Sequence, residues 1–424
     1  MARPRNPNQS AADLTRTASA LAGDMFDRFR VKNALVGADA WHCAFTHPDA
    51  GLRGALKVSY PMSISGKVED RAAFAMLLDH CIASACGEQV QVDEDTQVLV
   101  AYKLEYGPPE FKIYSDILFD DLNVASVCLL NESVLAAAGY GENSCVVVDI
   151  GARCTRAVPV FENYAMIHCA RSTQLGGEHV TELLEQLIDA QGIETYSSSL
   201  PRRRQQFARR VKEQHAFVAL SFDDAVNRYG QFSFESTKVM TNVVDTSRRC
   251  RSASITPHAS DIRVSESFVL TDGSDMTISV DRELFYSSEV LFAPFLLEAA
   301  QDELNIVDII LSCVEAVDDS VRDDVCRNIV LCGKTSLLQG LSPRLQHDLS
   351  RGMRNLGVRE YSVVVGEDAN IPPSLVWGGA DVYISDIDAG RAIGDDDVKA
   401  IPIGNIVTSH FYSKTGAKAF ADLS

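Results

Sequence analysis

Cys145-Val146-Val147-Val148-Asp149-Ile150-Gly151 is the stretch of sequence that decides the fold class. Its continuous apolar run is typical of a strand buried on both faces, and the aspartate and glycine at its end are typical of a turn. A polar turn separates it from a second apolar run at residues 157–161. We therefore predict a β-hairpin with residues 149–156 at its tip.

Strand-like and helical segments alternate on both sides of this hairpin. Periodicity predicts strands at residues 97–101, 276–280 and 328–332, and helices at residues 110–122, 178–191 and 204–220. Alternation of this kind predicts an α/β fold.

Composition narrows the class of protein. The 424 residues suffice for two or three domains. The 58 acidic and 39 basic side chains give a net charge of −19, which argues against binding nucleic acid through phosphate contacts. No run approaches the roughly 20 apolar residues of a membrane span, and the opening MARPRNPNQS lacks the apolar core of a secretory signal. The 11 cysteines show no zinc or redox spacing, so we expect reduced thiols in a cytoplasmic protein.

Two turns at strand ends are candidate phosphate sites. Asp149 is a candidate ligand of hydrated Mg²⁺, and Gly151 lets a ligand approach the backbone. Gly333-Lys334-Thr335 follows a strand and opens a helix, where free N–H groups favour an anion. It is not a P-loop, because Asn328 stands where the first glycine would be. Taken singly, such turns are more often ordinary turn chemistry than sites.

One helical segment carries a third candidate. Arg209, Lys212 and Glu213 recur at spacings of three and four, which places them on one helix face. Such a face either contacts a ligand or is a solvated, salt-bridged surface.

Taken together, the ordered segments resemble actin and the actin-related proteins over nearly the whole chain from residue 34 onward. The matching segments are Ala34-Leu35-Val36, Tyr60-Pro61-Met62, Asn123-Val124-Ala125-Ser126, Glu132-Ser133-Val134-Leu135, the hairpin, Leu175-Gly176-Gly177, 209–219, 289–294, 329–340 and Trp377-Gly378-Gly379. The resemblance implies an actin-like α/β fold, with two α/β domains around a central nucleotide cleft and a small second subdomain that is largely deleted. It implies a first domain at 31–140 plus 375–424 and a second domain at 141–374. Polar composition without periodicity predicts a flexible tail at 1–30 and a surface loop at about 238–263.

The resemblance also implies a site for ATP or ADP with Mg²⁺. Its nucleotide-binding residues would be Asp149, Gly151, Gly177, Arg209, Lys212, Glu213, Gly333 and Thr335, with Asp149 at the metal. No catalytic residue is carried over, because several positions depart from the family's pattern.

The departures concern the phosphate loops and the attacking water. Asp39 and Trp41 lie in a first phosphate loop that lacks the family's glycines and lysine. In the second loop, Ala152 replaces an aspartate and Arg156 replaces a histidine near the water. Glu132 stands where a glutamine normally orients that water. We expect a cleft that hydrolyses ATP weakly or not at all.

A deletion bears on assembly. Between Ala50 and Arg53 the family normally carries its small second subdomain with a filament-joining loop, whereas here the flanks are almost directly joined. We expect a non-polymerising structural subunit of a cytoskeletal assembly, with other actin-like subunits as partners, such as a pointed-end cap of a dynactin-like filament. No homopolymer, nucleic acid or membrane insertion is expected. The alternatives are a nuclear actin-related subunit of a chromatin-remodelling complex and a conventional actin-like ATPase.

Overall fold

The computed structural model describes residues 61–63, 67–86, 96–230, 262–270, 274–366, 375–388 and 406–408. The chain divides into two compact units. The first consists of Met1–Leu130 together with Pro402–Ser424, and the second consists of Asn131–Ile401. The domain bounds expected from the sequence stay a prediction. The expectations for the tail, the first phosphate loop with Asp39 and Trp41, the short junction after Ala50 and nearly all of the 238–263 loop lie outside the described residues.

The first unit is built on a small sheet. Its elements are α1 (Arg71–Cys86), β1 (Gln97–Tyr102), α2 (Pro108–Ser115), a π-helix (Asp116–Asp121), β2 (Ser126–Asn131, whose last residue belongs to the second unit) and β11 (Ile406–Thr408). The strand order is β1-β2-β11, with β11 antiparallel to β2. Every residue of β2 is buried, whereas β1 is only half-buried. The predicted strand at 97–101 is therefore confirmed, but a short apolar run does not reveal how many of its faces are covered.

The second unit contains most of the described elements. Its strands are β3 (Cys145–Ile150), β4 (Thr155–Phe161), β5 (Tyr164–Ala165), β6 (Arg171–Thr173), β7 (Val264–Val269), β8 (Asp275–Val280), β9 (Asn328–Cys332) and β10 (Ser362–Val365). Its α-helices are α3 (Glu132–Tyr140), α4 (Gly177–Asp189), α5 (Glu194–Ser197), α6 (Pro201–His215), α7 (Phe222–Tyr229), α8 (Glu283–Tyr286), α9 (Ile306–Ala316), α10 (Asp319–Cys326), α11 (Leu341–Asn355) and α12 (Leu375–Asp388). The 3₁₀ helices with bounds among the described residues lie at Ile167–Cys169, Ser287–Leu291, Pro294–Leu296, Glu298–Ala300 and Lys334–Leu337.

A mixed sheet forms the centre of this unit. Its strand order is β10-β9-β3-β4-β5, with β6 also paired to β4. β10, β9 and β3 run parallel, and β3 and β4 form the predicted antiparallel hairpin. Because parallel strands end at the same edge, Gly151 after β3 and Gly333 after β9 lie beside each other there. The sheet thus gathers the two turns that the sequence marked separately.

Pro159 fits inside β4 because of a gap in the neighbouring pairing. β6 pairs with residues 155–157 and β5 with residues 160–161, so neither short strand pairs with Pro159. Its carbonyl accepts a hydrogen bond from the Met166 N–H at 2.8 Å. Its missing N–H faces that same side, since both groups of a strand residue point the same way, so the β3–β4 ladder loses no bond.

The helix predicted at 204–220 differs from the observed α6 at both ends. Pro201 occupies the first turn, a position that suits its fixed φ angle and missing N–H. The helix ends at His215, because the apolar residues that follow join another part of the unit. Phe217 forms a β-bridge to Gln339, and the Val218 N–H donates to the Gln339 carbonyl at 2.7 Å. No helix in the described part of the chain is both long and apolar enough to cross a membrane.

Candidate functional site

The hairpin between β3 and β4 places Asp149 opposite Arg156. In the register of the pair, Asp149 faces Arg156 and Ile150 faces Thr155. The Gly151 N–H donates to the Cys154 carbonyl at 3.0 Å and closes the turn. Opposite charges directly across an antiparallel pair attract each other. The register therefore pairs the predicted metal ligand with an arginine.

Arg156 lies between two carboxylates. Its Nη1 is 3.2 Å from Asp149 Oδ2 and 3.9 Å from Glu132 Oε1. The arginine side chain is 5% exposed, against 22% for Asp149 and 16% for Glu132. Glu132 begins α3, where the Asn131 side chain caps the helix by accepting the Ser133 N–H at 2.9 Å. Helix α3 and the hairpin thus deliver two acidic groups to one buried guanidinium.

Gly333 packs directly against Asp149. Its φ of 81° and ψ of 148° fall in a region that is essentially restricted to glycine. A Cβ here would lie 2.6 Å from both Asp149 Oδ1 and the Ile150 carbonyl oxygen. The glycine is therefore needed for conformation and for space. One Asp149 oxygen faces Arg156, and the other lies against the turn after β9.

The N-terminus of α4 is bonded to the hairpin tip. The Gly177 N–H donates to the Gly151 carbonyl at 3.0 Å, and the Glu178 N–H donates to the Ala152 carbonyl at 2.6 Å. Free N–H groups in a helix's first turn are the ones that bind anions. Two of these groups already have protein acceptors in α4.

Lys212 and Thr335 add side-chain bonds to the same cluster. Lys212 Nζ donates to the Gly177 carbonyl at 2.9 Å, and Thr335 Oγ1 donates to the Gly151 carbonyl at 3.0 Å. Burial lowers the pKa of Lys212 from its ordinary value. The helix α6, the hairpin, α4 and the turn after β9 are thereby cross-linked by polar groups.

Arg209 and Glu213 lie on the exposed surface of α6. Arg209 Nε is 2.9 Å from Glu213 Oε1, and both side chains are more than half exposed. An exposed pair of this kind contributes little to stability. Lys212, by contrast, reaches inward to the Gly177 carbonyl. The three residues therefore occupy one helix but have different environments.

The predicted residues fall into two groups. Asp149, Gly151, Gly177, Lys212, Gly333 and Thr335 lie in one bonded cluster with Glu132, Ala152 and Arg156. Arg209 and Glu213 lie on the exposed side of α6. Contact of any of these residues with a ligand stays a prediction.

A cavity of about 230 Å³ lies elsewhere in the unit. Residues 142–144, which line it, precede β3, and Arg327, which also lines it, precedes β9. These are the amino ends of the two strands, so the cavity lies at the opposite edge of the sheet from Asp149 and Gly333. Ligands of such sheets bind outside the carboxyl ends of the strands, so this cavity is not our candidate site.

Sequence reasoning missed how the site residues bond to one another. It singled out Arg156 as a departure, but not as the partner of Asp149 and Glu132. The signal was present in the predicted hairpin, because counting back from a tip at residues 151–154 sets Asp149 opposite Arg156. Gly176 lies in a segment that resembles the family's sequence, and no local pattern explains the glycine. A Cβ there would lie 2.7 Å from the Gly151 carbonyl oxygen.

The comparison with known families agrees with this architecture. The family model of actin matches residues 15–385 of the chain. The match covers both sides of the hairpin and every residue of the candidate site.

Proposed function

The chain belongs to the actin family, and we propose that it is a structural subunit that neither hydrolyses ATP nor forms filaments of its own. Its partners are other actin-like or cytoskeletal subunits of a hetero-complex in the cytoplasm. The position that best suits such a subunit is the pointed end of a dynactin-like filament, where it ends the row of subunits.

The observation that carries the proposal is the placement of Arg156. Its buried guanidinium lies 3.2 Å from Asp149 Oδ2 and within 3.9 Å of Glu132 Oε1. Phosphoryl transfer depends on placing metal, water and phosphate together with groups that stabilise the transferring charge. A site in which the acidic side chains are held by an internal arginine supports binding without turnover.

The proteins of this family generally bind a nucleotide with Mg²⁺, and Asp149 is the residue that would hold the metal here. The residues present do not fit that ion. One Asp149 oxygen faces the Arg156 cation and the other packs against Gly333. Mg²⁺ demands near-ideal octahedral geometry and keeps several of its waters, which needs room around the carboxylate. We therefore propose ATP or ADP only as a ligand that is not hydrolysed and that binds through its adenosine part, near Lys212 and Thr335.

The short junction between Ala50 and Arg53 supports the second half of the proposal. A chain without the filament-joining loop offers one of its two ends to a neighbour and not the other. Such a subunit can bind the end of a short filament and stop further addition. Head-to-tail addition of subunits through a heterologous interface continues indefinitely only when each subunit carries both of the contacting surfaces.

Phosphate release tests the proposal. Purified chain incubated with Mg²⁺-ATP should release no phosphate above a protein-free blank, while polymerising actin run in parallel provides the positive control. Glu132→Gln alone should not restore turnover, because Arg156 and Ala152 remain. Release by the wild-type chain at the rate of the actin control would overturn the proposal.

Copurification from cells tests the host complex. The proposed subunit should bring down other actin-like and cytoskeletal subunits in fixed stoichiometry. Recovery of a chromatin-remodelling set instead would overturn the cytoskeletal placement and favour the nuclear alternative.

A further inference from the structure

We propose that the Arg156 guanidinium takes the place of a divalent cation between Asp149 and Glu132, so that these carboxylates form a cation site that opens only when the arginine charge is removed. The inference deepens the proposed function at the same site. It rests on that proposal only in treating Asp149 as the residue that would hold the metal.

The first argument is the position of the charge. A positive group 3.2 Å from one carboxylate and 3.9 Å from another occupies the region that a cation shared by both would occupy. Its side chain is 5% exposed, so solvent screens it little. A second cation brought to the same carboxylates would be repelled by the guanidinium at close range.

The second argument is the ligand set that remains without the guanidinium. Asp149 ends β3 and Glu132 begins α3, so backbone elements fix both carboxylates. Two carboxylates that face a common position suit a hard divalent cation such as Mg²⁺ or Mn²⁺. Two like charges that are only 22% and 16% exposed also repel each other without a counter-ion, which favours any cation that can enter.

The third argument is the way the arginine is held. Arg156 lies on a strand that pairs with β3 on one side and with β6 on the other, through Ser172. Two ladders therefore fix its backbone, and the contact with Asp149 holds its guanidinium before any ligand binds. A fixed internal charge makes the site independent of the concentration of free metal.

Mn²⁺ binding to the full-length chain tests the inference. Wild-type protein and Arg156→Gln are titrated with Mn²⁺ alone at pH 8, and free Mn²⁺ is followed by electron paramagnetic resonance. Arg156→Gln should gain one site that is at least about tenfold tighter than any site in the wild type, because the repelling charge is gone. The double variant Arg156→Gln with Asp149→Asn should lose the gained site.

Arg153→Gln is the matched control on the same hairpin. Arg153 is 44% exposed and pairs with Glu178 at 2.8 Å instead of with Asp149 or Glu132, so its removal should leave Mn²⁺ binding unchanged. An Arg156→Gln protein that folds but gains no Mn²⁺ site would overturn the inference. So would a wild-type site that Asp149→Asn removes.

Mn²⁺ binding is also compared between the wild type and Asp149→Asn, both of which keep Arg156. This comparison tests the inference even where Arg156→Gln does not fold. Equal Mn²⁺ binding by the two proteins is the expected result. The outcome is separate from that of the proposed function. Phosphate release would overturn the proposal of a structural subunit and would leave the Mn²⁺ inference intact. An Mn²⁺ site in the wild type would overturn the Mn²⁺ inference and would leave the proposal of a structural subunit intact.

Discussion

Arg156 shows how one side chain changes the chemistry of a shared scaffold. The hairpin, the strand-end aspartate and the glycine turns are all present around it. A buried ion pair is a weak source of net stability, because desolvation offsets most of the attraction. Arg156 acts on the chemistry of the site instead, since it supplies a fixed positive charge where the sequence pattern predicted a metal.

Gly333 provides the sharpest test of local packing. Gly333→Ala should lower the free energy of unfolding by about 3 kcal/mol or more, because it adds a disfavoured backbone conformation and a contact with Asp149. Gly357→Ala is the matched control. Gly357 has the same φ of 81°, but a Cβ there would meet nothing within 4 Å. Its loss should be only about 1–2 kcal/mol, the cost of the backbone alone.

Urea denaturation measures both variants. Equal losses for the two alanine variants would mean that the approach of Asp149 and Ile150 to Gly333 is not as close as the structure has it.

Glu289 makes the free energy of unfolding depend on pH. Burial raises the pKa of this carboxyl from 4.5 to about 7, while Arg344, whose Nη2 is 3.1 Å from Glu289 Oε1, opposes the shift. The nearby carboxylates of Asp348 and Asp223 add to the rise. Because the folded state holds this proton more tightly, the contribution is fully present below pH 4.5 and is lost as pH rises through about 7.

Glu289→Gln isolates this term, because glutamine does not titrate. The stability of wild type relative to Glu289→Gln should fall by about 3 kcal/mol between pH 4.5 and 7. Urea denaturation of both proteins across that range provides the measurement. A relative stability that stays flat or rises with pH would show that Arg344 keeps the carboxylate ionised throughout.

At the scale of elements, the 3₁₀ helix Lys334–Leu337 is bonded to the hairpin through the Thr335 hydroxyl. Thr335→Val keeps the shape of the side chain but removes the donor to the Gly151 carbonyl. It should cost about 1 kcal/mol and speed amide hydrogen exchange in the 151–154 turn.

Ser336→Ala is the control for Thr335→Val on the same helix. Ser336 is 1% exposed, and its Oγ has no hydrogen-bond partner in the described part of the chain. Its removal should therefore be neutral or stabilising, since no bond is lost. A larger loss of stability for Ser336→Ala than for Thr335→Val would contradict these assignments.

The elements that could be predicted from the sequence are those with a strong local pattern. β3 is a continuous apolar run, and its hairpin with β4 is confirmed in the predicted place. The glycine turn after β9 is also confirmed, and the helix that follows it is a short 3₁₀ helix. Long-range pairing could not be predicted, because the bridge from Phe217 to Gln339 joins residues that are far apart in the sequence.

The same limit applies to the candidate site. Residue types and spacing marked Asp149, Gly333 and Thr335, because strand-end turns have a recognisable composition. The bonds that join them depend on the parallel pairing of β3 with β9, which no local pattern encodes. The sequence also placed Arg209, Lys212 and Glu213 on one face, whereas Lys212 reaches inward and the other two pair with each other.

At the scale of the whole molecule, family membership and departures from the family pattern have to be considered together. The actin family match over residues 15–385 establishes the fold. Arg156 and the short junction after Ala50 are the departures that bear on ATP turnover and on self-addition. In the proposed function, the arginine accounts for an absence of turnover and the short junction for an absence of self-addition, and together they favour a structural role.

Sedimentation velocity of the purified chain is the most direct test of that role. Under the salt and Mg²⁺-ATP conditions that polymerise actin, the account predicts a single slow species of monomer size at every protein concentration. Actin in a parallel cell should sediment as filaments. Long homopolymers of this chain, growing with concentration above a threshold, would contradict the claim that it is a non-polymerising structural subunit.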